Sequence, residues 1–252
     1  MRIYNPTHVH IPSLRRLWKD AFGDGDAFLD LFFSRGFSPD RCRCIAPEGE
    51  VAAALYWFDV HCCGHKMAYL YAVATAPSHR GRGLCRRLME DTHRHLSALG
   101  YSGAVLVPQS DALRAMYRKM GYRDCTRIRE FSAAPAEGLS DLRQLSPREY
   151  AAARLEYLPE NPVIQEGASL DFLSVLAEFY AGDGWLAAAS REGDTLRCPE
   201  FLGDSRAASG LVSALGCTRG HFRTPGEDLP FAQYLPLAAD CPAPNYLGFA
   251  FD

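Results

Sequence analysis

The residues best suited to chemistry form a basic glycine loop, Arg80-Gly81-Arg82-Gly83, between an apolar segment and an amphipathic one. The pattern predicts a strand over 66–75 and a helix over 82–99. The first turn of a helix has backbone N–H groups without partners and carries the positive end of the helix dipole. The glycines let an anion approach that backbone closely, and the arginines add positive charge. The loop therefore predicts a phosphate site.

Two common nucleotide loops do not fit this segment. A dinucleotide fingerprint needs a third glycine, where Arg86 stands, and an acidic residue after the next strand, where the chain continues into Pro108-Gln109. A P-loop needs Gly-Lys-Ser/Thr, which the segment lacks.

Two motifs together resemble the GNAT family of N-acetyltransferases. The run from Arg80 to Cys85 is similar to motif A, Arg/Gln-x-x-Gly-x-Gly/Ala, with Cys85 in place of the last Gly or Ala. The run Ala115-Met116-Tyr117-Arg118-Lys119-Met120-Gly121-Tyr122 is similar to motif B, and Ser110 stands where many members have Asn. The resemblance implies an α/β fold with a mixed sheet, an acyl-CoA acyltransferase fold whose two central strands splay apart to admit the cofactor.

The resemblance also implies residue roles. Acetyl-CoA is the implied cosubstrate, and the implied reaction is direct attack by a primary amine in a ternary complex. Tyr117 would be the general acid for the departing thiolate. The residues expected to bind the cofactor are Val73, Ala74, Thr75, Arg80, Gly81, Arg82, Gly83, Leu84, Cys85 and Ser110.

The general base is left open by the sequence. An amine with an ordinary pKa near 10.4 needs help to lose a proton at neutral pH. Asp59, His61 and His65 lie near the predicted turn between the two long strands. Asp252 follows an apolar C-terminal segment, for which we expect an ordered strand. These four residues are the candidates.

Nine cysteines are present, and their spacing lacks the C-x-x-C pattern of zinc sites. Cys42 and Cys44 would share one face of a strand, as small buried thiols do. We therefore expect structural thiols and no metal. Cys85 is expected at a helix N-terminus beside arginines, a setting that lowers the pKa of a thiol.

The chain is predicted to contain two domains joined by a linker at 133–139. Residues 1–132 would bind acetyl-CoA, with a last strand over 123–131. Residues 140–252 repeat the order of two helices, two strands, helix and strand, with one helix over 170–180. An acidic segment, Phe201–Arg206, replaces the glycine loop there. We expect a degenerate GNAT-like copy that shapes the acceptor site; an unrelated α+β domain is the alternative.

The composition is that of an ordinary soluble globular protein. The chain is 48% hydrophobic and carries a net charge of −3, which gives no reason to expect nucleic acid or an anionic membrane as a partner. No apolar run spans a bilayer and no signal peptide is evident, so we expect a cytoplasmic protein. The acceptor would be a small-molecule or peptide amine. Transfer of another acyl or aminoacyl group, or a non-catalytic acyl-CoA-binding regulatory module, are the alternatives, and the oligomeric state is left open.

Overall fold

The computed structural model describes residues 2–139 and 141–250. Within those ranges the α-helices are α1 Ile11–Phe22, α2 Asp26–Leu31, α3 Leu84–Ala98, α4 Asp111–Arg118, α5 Pro147–Arg154, α6 Ala168–Leu173 and α7 Ala208–Ala214. The strands are β1 Ile3–Tyr4, β2 Cys42–Ile45, β3 Ala53–Cys62, β4 His65–Thr75, β5 Gly103–Leu106, β6 Arg123–Asp124, β7 Arg127–Ala133, β8 Arg143–Leu145, β9 Ile164–Gln165, β10 Glu178–Gly182, β11 Trp185–Glu192, β12 Thr195–Gly203, β13 Arg219–Pro225, β14 Leu229–Pro230 and β15 Gln233–Pro236.

The first sheet has the strand order β1-β2-β3-β4-β5-β15-β6, with β9 pairing on β3. Its strands are antiparallel except for β4 and β5, which are parallel and joined through α3. A parallel pair needs such a crossover, because a tight turn cannot return the chain to the same end of the sheet. The mixed α/β architecture agrees with the fold implied by the resemblance.

The second sheet repeats that order as β8-β10-β11-β12-β13-β7-β14. Here β12 and β13 form the parallel pair, and α7 is the crossover. The repeated order of elements supports a second, GNAT-like copy of the fold.

The two sheets exchange one strand each. Strand β7 follows the first half of the chain but lies between β13 and β14, whereas β15 lies between β5 and β6. The predicted single strand over 123–131 is therefore wrong, since the chain leaves the first sheet after Asp124 and enters the second at Arg127. The domain division at 133–139 stays a prediction. Dividing the chain there would not separate the two sheets, because β7 precedes the division but belongs to the second sheet and β15 follows it but belongs to the first.

Two other local predictions are corrected. Residues 170–180 do not form one helix, because α6 ends at Leu173 and Phe179 pairs with both β8 and β11. The apolar spacing there fits a helix locally, but pairing within the sheet decides the conformation. The expected C-terminal strand is also wrong: residues 246–250 form no strand, although Tyr246, Leu247, Phe249 and Ala250 are buried.

The hydrophobic core forms three clusters. One packs α3 and α4 on the first sheet, and one packs α7 on the second. The largest joins the two halves and holds residues from both, such as Trp18, Phe58, Phe172 and Leu186. Phe58 stacks on Phe172 across this junction with ring centroids 5.6 Å apart. The halves are thus held by a shared apolar interior as well as by the exchanged strands.

All nine cysteines are free thiols, and Cys42 and Cys44 are buried side by side on β2, as expected for structural thiols. Residues 2–139 and 141–250 contain no cluster of three or more His, Cys, Asp or Glu side chains suited to a metal ion. Over the same ranges, no helix combines the length and apolar character needed to cross a bilayer.

Candidate active site

The two central strands of the first sheet separate halfway along their length. Strands β4 and β5 are paired at Met67–Gly103, Ala68–Ala104 and Tyr69–Val105. Beyond Tyr69, β4 continues to Thr75, and in the described parts of the chain it pairs there only on its β3 side. Backbone groups on the other edge of this arm are therefore available to a ligand that enters the gap.

A bulge redirects the free arm. The register between β3 and β4 shifts between Ala54 and Tyr56, and Ala72 adopts a φ of +48°. A residue other than glycine in this left-handed region costs free energy, which surrounding contacts must offset. Ala72 and Val73, at this bulge, line the wall of a cavity.

The cavity has a volume of about 990 Å³ and is lined by both halves of the chain. One wall consists of the splayed strands, and a second is apolar, with Trp18, Phe22 and Phe28 from α1 and α2. The third comes from the second sheet at its own parallel pair, including Pro199 on β12 and Arg223 on β13. Strands β12 and β13 are paired up to Cys198–Phe222 and then continue apart, so the strand separations of both sheets open onto one space.

Tyr117 lies on the cavity wall, on α4, with 6% of its surface exposed. Burial raises the pKa of its phenol, and the nearby Cys85 adds to the rise. Its hydroxyl makes no hydrogen bond to another described residue. The phenol is therefore protonated at neutral pH, and its proton is available to a group inside the cavity.

The glycine loop precedes α3 and leaves the start of that helix uncapped. Gly81 and Gly83 have φ values of +74° and +73°, and a Cβ at either position would meet no atom within 4 Å. Gly83 is the N-cap residue, and no side chain of a described residue bonds the first-turn amides of α3. In contrast, Ser110 caps α4 by accepting from the backbone N–H of Leu113. The start of α3 thus combines unpaired donors with open space, as an anion site requires.

The remaining predicted residues have identifiable positions. Arg82 is exposed beside the loop, whereas Arg80 donates through Nε to the carbonyl oxygen of Thr75 at 3.2 Å and so ties the loop to β4. Leu84 is buried under α3. The expectation of a lowered pKa for Cys85 is wrong: burial raises it, because the thiol packs into the core beneath α3.

Before α7, the described residues of the second half form no glycine loop like the one before α3. At the corresponding place Asp204 accepts from the backbone N–H of Arg206 at 3.0 Å and forms an ion pair with its guanidinium. A carboxylate therefore stands where α3 leaves open donors.

Three of the candidate bases do not line the cavity, and the fourth lies outside the described residues. Asp59, His61 and His65 lie at the β3–β4 hairpin end and do not line the cavity. Asp59 accepts a hydrogen bond from the Tyr101 hydroxyl, with Lys66 3.8 Å away. Asp252 lies outside the described residues.

Sequence reasoning missed two groups of cavity residues. The first is Asp24, between α1 and α2, whose carboxylate accepts from the Trp18 indole N–H at 2.7 Å. The second is a set of polar side chains on the second sheet: Glu130, Ser132, Ser190, Glu192, Arg197, His221 and Arg223. No local motif marked either group, because their common position depends on the strand exchange and the packing of the two halves.

Comparison with known proteins identifies the first half. Residues 2–125 match the family model described as an acetyltransferase (GNAT) domain. No curated protein matches the chain.

Solved structures share the fold across most of the chain. The GCN5-related N-acetyltransferase from Kribbella flavida aligns with a TM-score of 0.71 at 16% identity, covering 94% of this chain and 71% of that one. The corresponding protein from Anabaena variabilis gives 0.71 at 17% identity, covering 94% and 72%. The one from Sphaerobacter thermophilus gives 0.59 at 13% identity, covering 97% of each chain. At these identities the likeness establishes the architecture, including the second half.

Proposed function

Residues 2–125 of this chain are a domain of the GNAT acetyltransferase family, and from that premise we propose that the protein transfers the acetyl group of acetyl-CoA to a primary amine. One observation carries the proposal: the uncapped, open start of α3 follows directly from a splayed strand whose free edge lines a deep cavity. The attack is direct, within a ternary complex of protein, acetyl-CoA and amine.

The glycine loop fits the pyrophosphate of the cosubstrate. The first-turn amides of α3 donate to its oxygens, and Arg82 adds charge from the exposed loop. Arg80 acts indirectly, by tying the loop to Thr75. The free edge of β4, from Val73 to Thr75, offers backbone groups to the pantetheine arm and to the thioester carbonyl, whose polarisation promotes attack.

Tyr117 serves as the general acid. When the amine attacks the thioester carbon, the bond from that carbon to sulfur breaks and a thiolate leaves. The raised pKa of Tyr117 keeps its hydroxyl protonated, so it can donate to the sulfur. Ser110 contributes by capping α4, which fixes the helix that carries Tyr117.

The acceptor enters from the apolar and acidic side of the cavity. Asp24 is oriented by the indole of Trp18 and has no basic partner among the described residues. Its carboxylate therefore attracts a cationic amine, while Phe22 and Phe28 cover the attached apolar part. The cavity is open to solvent, so the proton that the amine must lose before it attacks can pass to bulk water.

A coupled assay tests the proposal. Wild-type protein is incubated with acetyl-CoA and a panel of primary amines, and free thiol is measured. We expect turnover that falls on the order of 10²- to 10⁴-fold in Tyr117→Phe. Acetyl-CoA affinity stays within about twofold, because the change removes only a hydroxyl that does not touch the loop.

Tyr157→Phe is the matched control, since its hydroxyl also lacks a described hydrogen-bond partner and does not line the cavity. It should leave turnover unchanged. Acetyl-CoA binding without thiol release for any amine would instead favour the non-catalytic regulatory module and refute the transfer.

A further inference from the structure

A row of polar side chains crosses the second sheet at the cavity wall. Ser190 pairs with Arg197, Arg197 pairs with His221, and His221 pairs with Ser132. Paired residues share one face of a sheet, so the four side chains point to the same side. With neighbouring strands about 4.8 Å apart, the row extends for roughly 14 Å.

In this row, more hydrogen-bond donors than acceptors lack a partner among the described residues. Arg197 uses Nε to bond Glu192 at 3.1 Å, and its two terminal nitrogens bond no other described residue. His221 is held through Nδ1 by Ser132 at 2.9 Å, which leaves Nε2 free of described partners. The hydroxyl of Ser190 has none either. These three groups can donate to one ligand.

Each acid beside the row forms an ion pair with an arginine. Glu192 holds Arg197 at 3.1 Å, and Glu130 holds Arg223 at 3.5 Å. Both acids on this wall therefore have a cationic partner, whereas Asp24, which has none among the described residues, lies on a different wall beside the aromatic residues. One wall of the cavity thus offers hydrogen-bond donors to an anion, and another offers the Asp24 carboxylate to a cation. Aromatic side chains lie beside Asp24.

We propose that the row Ser190–Arg197–His221 binds a carboxylate of the acceptor, so that the acceptor class is an amine that also carries a carboxylate and an apolar body. The proposal rests on the acetyl transfer proposed above. The terminal nitrogens of a guanidinium suit the two oxygens of a carboxylate, which makes Arg197 the main specificity residue. The serine and imidazole donors supply the remaining bonds.

A binding experiment tests the row without turnover. 3-Phenylpropionate carries the carboxylate and apolar body but no amine. Titrated calorimetrically into protein saturated with coenzyme A, it should bind wild type at least about tenfold more tightly than Arg197→Gln, the scale of a lost charge-assisted bond. The Arg197 side chain is 54% exposed, so the variant is expected to fold.

Arg191→Gln is the matched control. Arg191 is adjacent to Ser190 on β11 and therefore faces the opposite side of the sheet, where it donates to the carbonyl oxygen of Gly193. It should bind the probe as wild type does. Equal binding by wild type and Arg197→Gln, or no binding to wild type, would overturn the proposal.

A kinetic comparison separates this proposal from the transfer itself. Phenylalanine carries a carboxylate, whereas phenylalaninamide does not. The kcat/KM for phenylalanine divided by that for phenylalaninamide should be about tenfold or more lower in Arg197→Gln than in wild type. Comparing ratios between variants cancels the difference in amine basicity. If phenylalaninamide is acetylated but the ratio is unchanged in Arg197→Gln, carboxylate recognition is refuted and acetyl transfer is not. If the probe binds but no amine releases thiol, acetyl transfer is refuted.

Discussion

Replacing Gly83 with leucine should abolish stabilisation by acetyl-CoA while leaving the protein folded. Gly83 has a φ of +73°, and a Cβ there would meet no atom within 4 Å. The substitution therefore introduces backbone strain without a clash inside the protein. The new side chain instead occupies the space in front of the α3 amides, where the pyrophosphate would bind.

The size of both effects follows from the structure. An L-residue in the left-handed region costs about 1–2 kcal/mol. At about 2–4 °C per kcal/mol for a chain of this size, Tm should fall by about 2–8 °C. Acetyl-CoA at 100 times its Kd stabilises a protein by about 2.7 kcal/mol, which corresponds to a rise of roughly 5–11 °C in wild type. In Gly83→Leu that rise should disappear.

Thermal unfolding with and without acetyl-CoA measures this, and Gly100→Leu provides the control. Gly100 follows the other end of α3, has a φ of +79° and is also open within 4 Å. Both variants should lose comparable stability, but Gly100→Leu should keep the full ligand-induced rise. If Gly83→Leu retained the rise, the α3 N-terminus would not be the pyrophosphate site, and the reasoning from the glycine loop would fail.

Three further predictions concern buried polar groups. Burial lowers the pKa of His93 to about 4 from 6.5, so below pH 6.5 the unfolded chain binds a proton that the folded chain does not bind. The free energy of unfolding should therefore fall by up to about 3 kcal/mol between pH 6.5 and 4. Denaturant titrations of His93→Asn should show a weaker pH dependence than those of wild type. Arg154→Met leaves Glu200 buried without its cation, which should lower the free energy of unfolding in urea by about 3–5 kcal/mol. The double variant Arg154→Met with Glu200→Leu should recover much of that loss. A loss below about 1 kcal/mol in the single variant would contradict the role of the pair. Because burial raises the pKa of Cys85, iodoacetamide at pH 8 should alkylate it more slowly than the exposed Cys63, and mass spectrometry that found Cys85 modified first would refute this.

Local patterns predicted much of the first half. The strand predicted over 66–75 is β4, His65–Thr75, and the helix predicted over 82–99 is α3, Leu84–Ala98. The glycine loop was predicted as an anion site, and the structure gives it an uncapped helix start with open space. These features depend on interactions within a few residues of one another, so the sequence carries them directly.

Errors occurred where distant strands decided the outcome. The pattern of residues 127–133 would suit a strand in either sheet. Pairing with β13 decides that they belong to the second sheet. Phe179 fits a helical period, but pairing on both sides makes it part of a strand. Cys85 has the neighbours that lower a thiol pKa, yet its packing beneath α3 raises it.

The sequence by itself indicated the family and placed the glycine loop at the start of one helix and Tyr117 on the next helix, because a helix start, a glycine turn and a cap are properties of contiguous residues. Only the tertiary structure decided what faces the splayed strands. The exchange of β7 and β15 and the common apolar core bring Asp24, Arg197 and His221 to one cavity from positions up to 197 residues apart along the chain. Contacts of that separation leave no local pattern, since each residue alone has the composition of an ordinary polar surface.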